Sequence, residues 1–220
     1  MTTDIIEQTE QEVQLTPAQL ESLRAEVLDK IIVARVGLLL RHPFFGNMAT
    51  RLIIKECDDW CPTAATDGRH LFYSVPFFAK MNNKEIEFVI AHEILHCVYD
   101  HMGRYDGRNP QLGNIAADYC VNGDLVQNKV GTPITVVPIL HDTKYYNWSF
   151  ERVYDDLEEN VKKEYVDIDQ LLDKMLDEHL DGDNGQGDGD GGEETDENGN
   201  PVSKKKPKIS EADRRKLKDE

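Results

Sequence analysis

Residues 82–99 read NNKEIEFVIAHEILHCVY and contain the strongest helix signal in the chain. Asn82 is a favourable N-cap residue, and Glu85 follows three positions later, where its side chain can complete a capping box. The positions after Glu85 are apolar around most of the helix, which predicts burial on nearly every side. The fold is therefore expected to be organised around this helix.

The same helix carries the pattern H-E-x-x-H at His92, Glu93 and His96. Residues four apart lie about 40° apart around a helix, so both imidazoles can reach one ion. Neutral imidazole is a good zinc ligand. Glu93 lies beside the pair, where it can accept a proton from a zinc-bound water and pass it to the leaving amine. We predict zinc ligation by the two histidines and catalysis by Glu93.

A histidine pair of this spacing can also face water on a surface helix without binding a metal. The apolar neighbours of the pair count against this alternative. Two histidines and a glutamate inside a buried helix are costly unless they have partners. A metal ion with a bound water supplies those partners, so a metal site is the favoured interpretation.

The third ligand is expected from a second helix, predicted at about residues 114–127. On this helix Ile115, Asp118, Asn122 and Leu125 share one stripe, and the two apolar residues should face the core. Asp118 then points inward, where a carboxylate needs a cation or a strong hydrogen-bond donor. We predict that Asp118 is the third zinc ligand and that Asn122 orients it.

Alternatives to this assignment remain open. Asp118 can pair with an arginine, accept a backbone N–H, or support His92 or His96 from behind. His101 is the main rival as third ligand, but it follows His92 by nine residues and faces away if the helix continues that far. It can take the place of Asp118 only if the helix breaks before Tyr99.

The four cysteines, without a secretory signal, predict reduced thiols in a cytoplasmic compartment. Cys57 and Cys61 form a close pair, but no second pair accompanies them. Cys97 and Cys120 are single and lie in apolar helix contexts. We interpret Cys97 and Cys120 as core residues rather than metal ligands.

The remaining elements place this site in an α+β fold that is mostly helical. Thr16 and Pro17 open a first helix, which is expected to be central to the core and to end before Pro43. Short apolar segments bounded by turn residues predict two or three strands within residues 52–73. The small β element is expected beside the H-E-x-x-H helix.

The net charge and the apolar segments of the chain indicate which classes of binding partner to expect. The chain has 25 basic and 42 acidic residues and a net charge of −17. Phosphate attracts basic surfaces, so neither a nucleic acid nor a membrane surface is the expected partner. The longest apolar run, residues 31–40, is much shorter than the about 20 residues that cross a bilayer.

Composition also predicts the domain boundaries. Residues 181–200 contain eight acidic residues, seven glycines and no apolar side chain, so burial cannot offset the entropy of ordering them. We predict a flexible N-terminus at residues 1–13 and one domain at residues 14–180. Residues 181–220 are predicted to be a disordered acidic, glycine-rich tail with a basic patch.

Several motifs occur in a fixed order within roughly residues 15–157. They are Pro43-Phe44-Phe45-Gly46, Ala65-Thr66-Asp67-Gly68, His92-Glu93-Ile94-Leu95-His96 with His101 and Arg104, Asn114-Ile115-Ala116-Ala117-Asp118-Tyr119 with Asn122, and Glu151 to Tyr154 with Leu157. In this order they resemble the zinc-metallopeptidase domain of bacteria and phages that is often followed by a von Willebrand A-like domain. The resemblance implies a zincin-like fold in a bacterial or phage-infected cytoplasm. It also leads us to expect a C-terminal von Willebrand A-like domain, which the printed sequence does not include.

The expected function is zinc-dependent hydrolysis of peptide bonds in a protein or peptide substrate. An edge strand near residues 66–73 can align an extended peptide by β-augmentation. The main alternative is a metal-stabilised binding or scaffolding module without significant turnover. A structural protein of a phage particle is a third alternative.

Overall fold

The computed structural model describes residues 15–105, 107–163 and 171. The predicted N-terminal segment at 1–13 and the predicted tail at 181–220 lie outside the described residues. The described residues form a mostly helical α+β structure with one small sheet, which confirms the predicted fold class. None of the helices in this part of the chain is both long and apolar enough to cross a membrane.

The three strands follow one another in the first half of the described chain, with helices before and after them. In order, the helices and strands are α1 (Pro17–Arg41), α2 (Pro43–Arg51), β1 (Ile53–Glu56), β2 (Ala64–Thr66), β3 (His70–Tyr73), α3 (Val75–Ala79), α4 (Asn83–Val98), α5 (Pro110–Gln127) and α6 (Phe150–Lys162). Short 3-10 turns occur at His101–Gly103 and Thr143–Tyr145. Helix α4 is the predicted H-E-x-x-H helix, and α5 is the predicted second helix.

Helix α1 begins as predicted but covers the core instead of passing through its centre. Thr16 and Gln19 form a capping box at its start. The face that packs on the core consists of Val27, Ile31, Ala34, Gly37 and Leu38. The opposite face includes Ile32, Val36 and Leu40, which are 47%, 51% and 75% exposed. The expectation that α1 is central was wrong, because its apolar residues divide between two faces and only one of them packs on the described core.

Helix α2 follows α1 after a single residue, His42, and the two helices cross at close range. Pro43 ends α1 and also begins α2, since a residue without an N–H fits the first turn of a helix. Gly46 lies against the backbone of Leu38 and Leu39, where a Cβ atom would overlap backbone atoms. The crossing therefore depends on the absence of a side chain at position 46.

Gly46→Ala is expected to lower the free energy of unfolding by about 1–3 kcal/mol, because the added methyl group meets backbone that cannot rotate away. Gly123→Ala is the matched control in α5. A Cβ there meets only ring atoms of Tyr146 at 3.5 and 3.6 Å, and alanine is favoured over glycine in a helix by about 1 kcal/mol. Urea denaturation of both variants measures the difference, and equal stabilities would contradict the close crossing.

The sheet has the strand order β1-β3-β2, with β1 parallel and β2 antiparallel to β3. The turn between β2 and β3 uses Asp67, whose Oδ1 accepts from the N–H groups of Arg69 and His70, and Gly68 with φ +82°. Strand β2 lies at one edge of the sheet and packs against α4. This confirms a small β element beside the H-E-x-x-H helix.

Helix α4 is buried along most of its length. Asn82 Oδ1 accepts from the N–H groups of Lys84 and Glu85, and Glu85 Oε2 accepts from Asn82 N, which completes the predicted capping box. Every residue from Glu85 to His96 is buried. Glu87, with a side chain only 2% exposed, pairs with Arg41 of α1 and with Lys84. The contact with Arg41 joins α4 to α1.

Helix α5 begins at Pro110, four residues before the predicted start. Asn109 Oδ1 accepts from Leu112 N and caps the helix, and Pro110 occupies the first turn. Helix α5 packs against α4 on one side and against α6 on the other, so residues of α5 that face α4 can meet its histidines.

Candidate metal centre

Three side chains from α4 and α5 meet in the interior as predicted. His92 Nε2 and His96 Nε2 are 3.0 Å apart. Asp118 Oδ1 lies 3.4 Å from His96 Nε2 and 3.8 Å from His92 Nε2. The three side chains are at most 2% exposed. They form one compact group of nitrogen and oxygen atoms in the protein interior.

The geometry of this group fits a small divalent cation. A tetrahedral set of nitrogen and oxygen ligands at about 2.0–2.2 Å from zinc keeps its members about 3.3–3.6 Å apart. The three observed separations, 3.0, 3.4 and 3.8 Å, bracket that range. Two imidazoles and one carboxylate are also a ligand set that zinc commonly uses. The group can therefore hold a metal ion.

Glu93 is also buried, as expected for a residue of this helix. Its residue exposure is 0%, and neither carboxylate oxygen is accessible to solvent. It follows His92 directly and shares a helical turn with His96. A buried carboxylate at this position is held away from bulk water, which strengthens its interactions with nearby protons and cations.

Asn122 contacts a histidine rather than the carboxylate that it was predicted to orient. Its Oδ1 lies 2.9 Å from His92 Nδ1, and its Nδ2 donates to the carbonyl of Leu140 at 2.9 Å. The second bond fixes the amide so that its oxygen faces His92 and accepts a hydrogen bond from Nδ1–H. Asn122 therefore holds His92 with its Nε2 atom directed at the candidate site.

His101 lies next to the site, because α4 ends before the position at which His101 would face away. Helix α4 ends at Val98, and Asp100 adopts a left-handed conformation with φ 52° and ψ 40°. The chain therefore turns back, and His101 is 1% exposed with its Nδ1 atom 3.3 Å from His96 Nδ1. The only local signal was an aspartate, a residue type that tolerates this conformation, and it is too weak to locate a helix end.

The cysteines have the environments of core residues. Burial, before other causes, raises the pKa of the Cys120 thiol to about 12, so at neutral pH it is a neutral side chain. Cys57 and Cys61 are both buried, and the Cys57 thiol donates to the carbonyl of Cys61. Cys97 is half-buried beside Thr66. The interpretation of Cys97 and Cys120 as packing residues agrees with these surroundings.

The segment 130–142 runs along the site from the first turn of α4 to Asn122. Thr132 N donates to the carbonyl of Lys84, and Thr135 donates twice to Glu85 Oε1. Burial raises the pKa of Glu85, but the hydrogen bonds from Asn82 and Thr135 outweigh it and lower the pKa overall. An ionised Glu85 thus fixes one end of this segment, and Leu140 fixes the other through Asn122.

A sequence family described as "Putative metallopeptidase domain" matches residues 28–220. No curated protein and no solved structure matches the chain. The family match agrees with the resemblance found in the sequence motifs, whereas a neighbouring von Willebrand A-like domain stays a prediction.

Proposed function

We propose a zinc-dependent peptidase function for this chain, which belongs to the metallopeptidase family that its sequence matches. One observation carries the proposal: the H-E-x-x-H helix and Asp118 bring two imidazole nitrogens and a carboxylate oxygen together in the interior. The proposed reaction is hydrolysis of a peptide bond in a protein or peptide substrate. The cytoplasmic location remains a prediction from the sequence.

In this proposal His92, His96 and Asp118 hold the zinc ion. When bound, zinc supplies a Lewis acid that polarises a carbonyl group and lowers the pKa of water. Asn122 holds the ring of His92 in place through Nδ1. The Asp118 carboxylate lowers the positive charge of the occupied site, which favours retention of the cation in a buried environment.

Glu93 is proposed to move the proton during hydrolysis. One carboxylate oxygen of Glu93 accepts a proton from the attacking water while the oxygen of that water bonds to the peptide carbon. The same carboxyl group then donates that proton to the amide nitrogen as the C–N bond breaks. The products are a carboxylic acid and an amine, and Glu93 ends as the carboxylate with which it began.

Strand β2 is the element proposed to align the substrate, because most of the predicted edge segment, residues 66–73, forms the central strand β3. It lies at the edge of the sheet and packs against α4, so an extended peptide added beside it would run near the helix that carries Glu93. Its Thr66 is linked to Cys97, the residue after His96, by a contact of 3.8 Å between the two side chains. This contact places β2 beside the helix that carries the candidate site.

The burial of the site favours a second candidate, a metal-stabilised binding or scaffolding module without significant turnover. His92, Glu93 and Asp118 are 0% exposed, and His96 is 1% exposed. A peptidase site must admit an extended chain, so turnover requires a neighbouring segment to move. A module that uses zinc only for stability requires no such opening.

Protein purified without chelators is expected to contain about one zinc ion per chain, measured by elemental analysis. Removal of the ion by a chelator should lower the melting temperature by several degrees, because zinc binds the native state. Cleavage of a proteome-derived peptide library, followed by mass spectrometry, should disappear with the ion and return when zinc is added. Zinc-dependent stability without any cleavage would select the second candidate, and failure to bind zinc at micromolar concentrations would refute both.

A further inference from the structure

We propose that His101 is a positioning residue that fixes the ring of His96 by accepting a hydrogen bond from its Nδ1–H group. The inference rests on the proposed metal site, because it assumes that His96 ligates through Nε2. It concerns a residue outside the H-E-x-x-H pattern, on the turn that follows α4.

The two nitrogens of His96 face different partners. Nε2 faces the candidate metal site, 3.4 Å from Asp118 Oδ1, whereas Nδ1 faces His101 Nδ1 at 3.3 Å. A neutral imidazole that ligates a metal through Nε2 carries its proton on Nδ1. A hydrogen bond between the two Nδ1 atoms then requires His101 to accept. The proton of a neutral His101 must therefore lie on Nε2.

His101 is held in place by aromatic rings. Its ring centroid lies 5.2 Å from that of His96, 5.4 Å from Tyr99 and 5.4 Å from Phe150. Phe150 is the first residue of α6, so the ring contact connects the turn after α4 to a distant helix. A ring that is packed on several sides has few alternative rotamers, and its acceptor nitrogen stays directed at His96.

An ion pair fixes the same turn to α6. Arg104 Nε donates to Glu151 Oε1 at 3.0 Å, and its Nη1 donates to the carbonyl of Tyr99 at 3.3 Å. The guanidinium also lies over the ring of Phe150, with its Cζ atom 5.3 Å from the centroid. Hydrogen bonds between the two side chains lower the pKa of Glu151 despite the opposing effect of burial, so the carboxylate remains charged at neutral pH. Arg104 and Glu151 therefore keep His101 against His96.

The two candidate histidine ligands are thus supported in the same way by residues of two different elements. His92 Nδ1 faces the Asn122 oxygen on α5, and His96 Nδ1 faces His101 on the turn after α4. Partners of this kind set the tautomer and raise the basicity of a ligating imidazole, and their loss weakens metal affinity about 10–100-fold. His101 is assigned this role for His96.

The test compares two replacements of His101 in the full chain. His101→Leu removes the acceptor but keeps an apolar side chain among the rings, whereas His101→Gln offers an amide oxygen in place of Nδ1. We expect His101→Leu to weaken zinc binding about 10–100-fold in competition with a chromophoric chelator. His101→Gln should restore most of the affinity. His42→Leu, at the junction of α1 and α2, is the control and should bind zinc as the parent does.

Each outcome decides between the proposals. If the parent protein binds no zinc, the proposed metal site is wrong, and the proposed role of His101 is wrong as well. If the parent binds zinc but His101→Leu binds it equally well, the positioning role alone is wrong. Equal weakening by leucine and glutamine would also overturn it, because packing rather than hydrogen bonding would then explain the loss.

A second measurement needs no variant, and it tests the positioning role of His101 even if His101→Leu fails to fold. Long-range ¹H–¹⁵N correlation spectra of the zinc-loaded parent distinguish protonated, unprotonated and metal-bound ring nitrogens. We expect His96 to show a protonated Nδ1 and a metal-bound Nε2, and His101 to show an unprotonated Nδ1. A protonated Nδ1 on His101 would overturn the proposal.

Discussion

Glu93→Gln is expected to keep about one zinc ion per chain and to lose peptide hydrolysis by a factor on the order of 10²–10⁴. Glutamine has nearly the same shape and volume as glutamate, so a fully buried position should accept it without a cavity. Its amide oxygen cannot take a full proton from water at neutral pH. The metal should stay, because the three atoms that meet at the site belong to His92, His96 and Asp118.

The matched control for this variant is Glu87→Gln. Glu87 is a second buried glutamate on α4, but it pairs with Arg41 and Lys84 and is not part of the proposed machinery. Its substitution should lower stability, since a buried carboxylate loses its charge and with it the ion pairs to two partly exposed side chains, and leave the activity of each folded molecule near that of the parent. Zinc content by elemental analysis and cleavage rates by mass spectrometry separate the two effects.

Two results would revise the role of Glu93. Loss of zinc in Glu93→Gln would make the residue a ligand or a requirement for folding instead of a base. Hydrolysis at the parental rate would assign the proton transfer to another group. An inactive parent would leave zinc retention as the only readout and would favour the binding or scaffolding module.

The parts of the fold that follow from local sequence were predicted well. The capping boxes at Thr16 and Asn82 each need only residues three positions apart, and both are present. The arrangement of His92 and His96 follows from the geometry of one helix. The inward direction of Asp118 followed from its place on the same stripe of α5 as two buried residues, Ile115 and Leu125.

The parts that depend on tertiary packing were not predictable in the same way. His101 reaches His96 because the chain turns at Asp100 and because Phe150, far away in sequence, packs against its ring. Asn122 meets His92 because α5 crosses α4, and the carbonyl of Leu140 fixes its amide. No periodicity within one helix contains this information. The spacing could place Asn122 near the site but could not identify which neighbour it binds.

The exposed face of α1 has a similar explanation. Its sequence is apolar on most sides from Ile31 to Leu40, which is typical of a helix in the centre of a core. In the structure only the face with Ile31 and Leu38 packs on the described core, and Ile32 and Val36 remain about half exposed. Hydrophobic patterning indicates which residues favour burial, but the number of neighbouring elements determines which of them are buried.

Asp118→Ala is expected to weaken zinc binding by more than about 100-fold. Loss of a residue that only supports a ligand weakens metal affinity by about 100-fold at most. A catalytic zinc site has three protein ligands, and alanine would leave only the histidine pair. Zinc should then no longer raise the melting temperature, because that increase depends on binding to the native state. Competition with a chromophoric chelator and calorimetry with and without zinc measure the two effects on the full chain.

Asp118→Asn distinguishes loss of a ligand from loss of packing. Asparagine keeps the volume of aspartate at a position that is 0% exposed, and it retains an oxygen that can bind a metal, but it lacks the charge. Its zinc affinity should lie between those of the parent and Asp118→Ala, while the melting temperature without metal stays close to that of the parent. Asp118→Ala should also bind zinc more weakly than His101→Leu, since one loses a ligand and the other a partner of a ligand. The reverse order would make His101 the third ligand, with Asp118 as its supporting carboxylate.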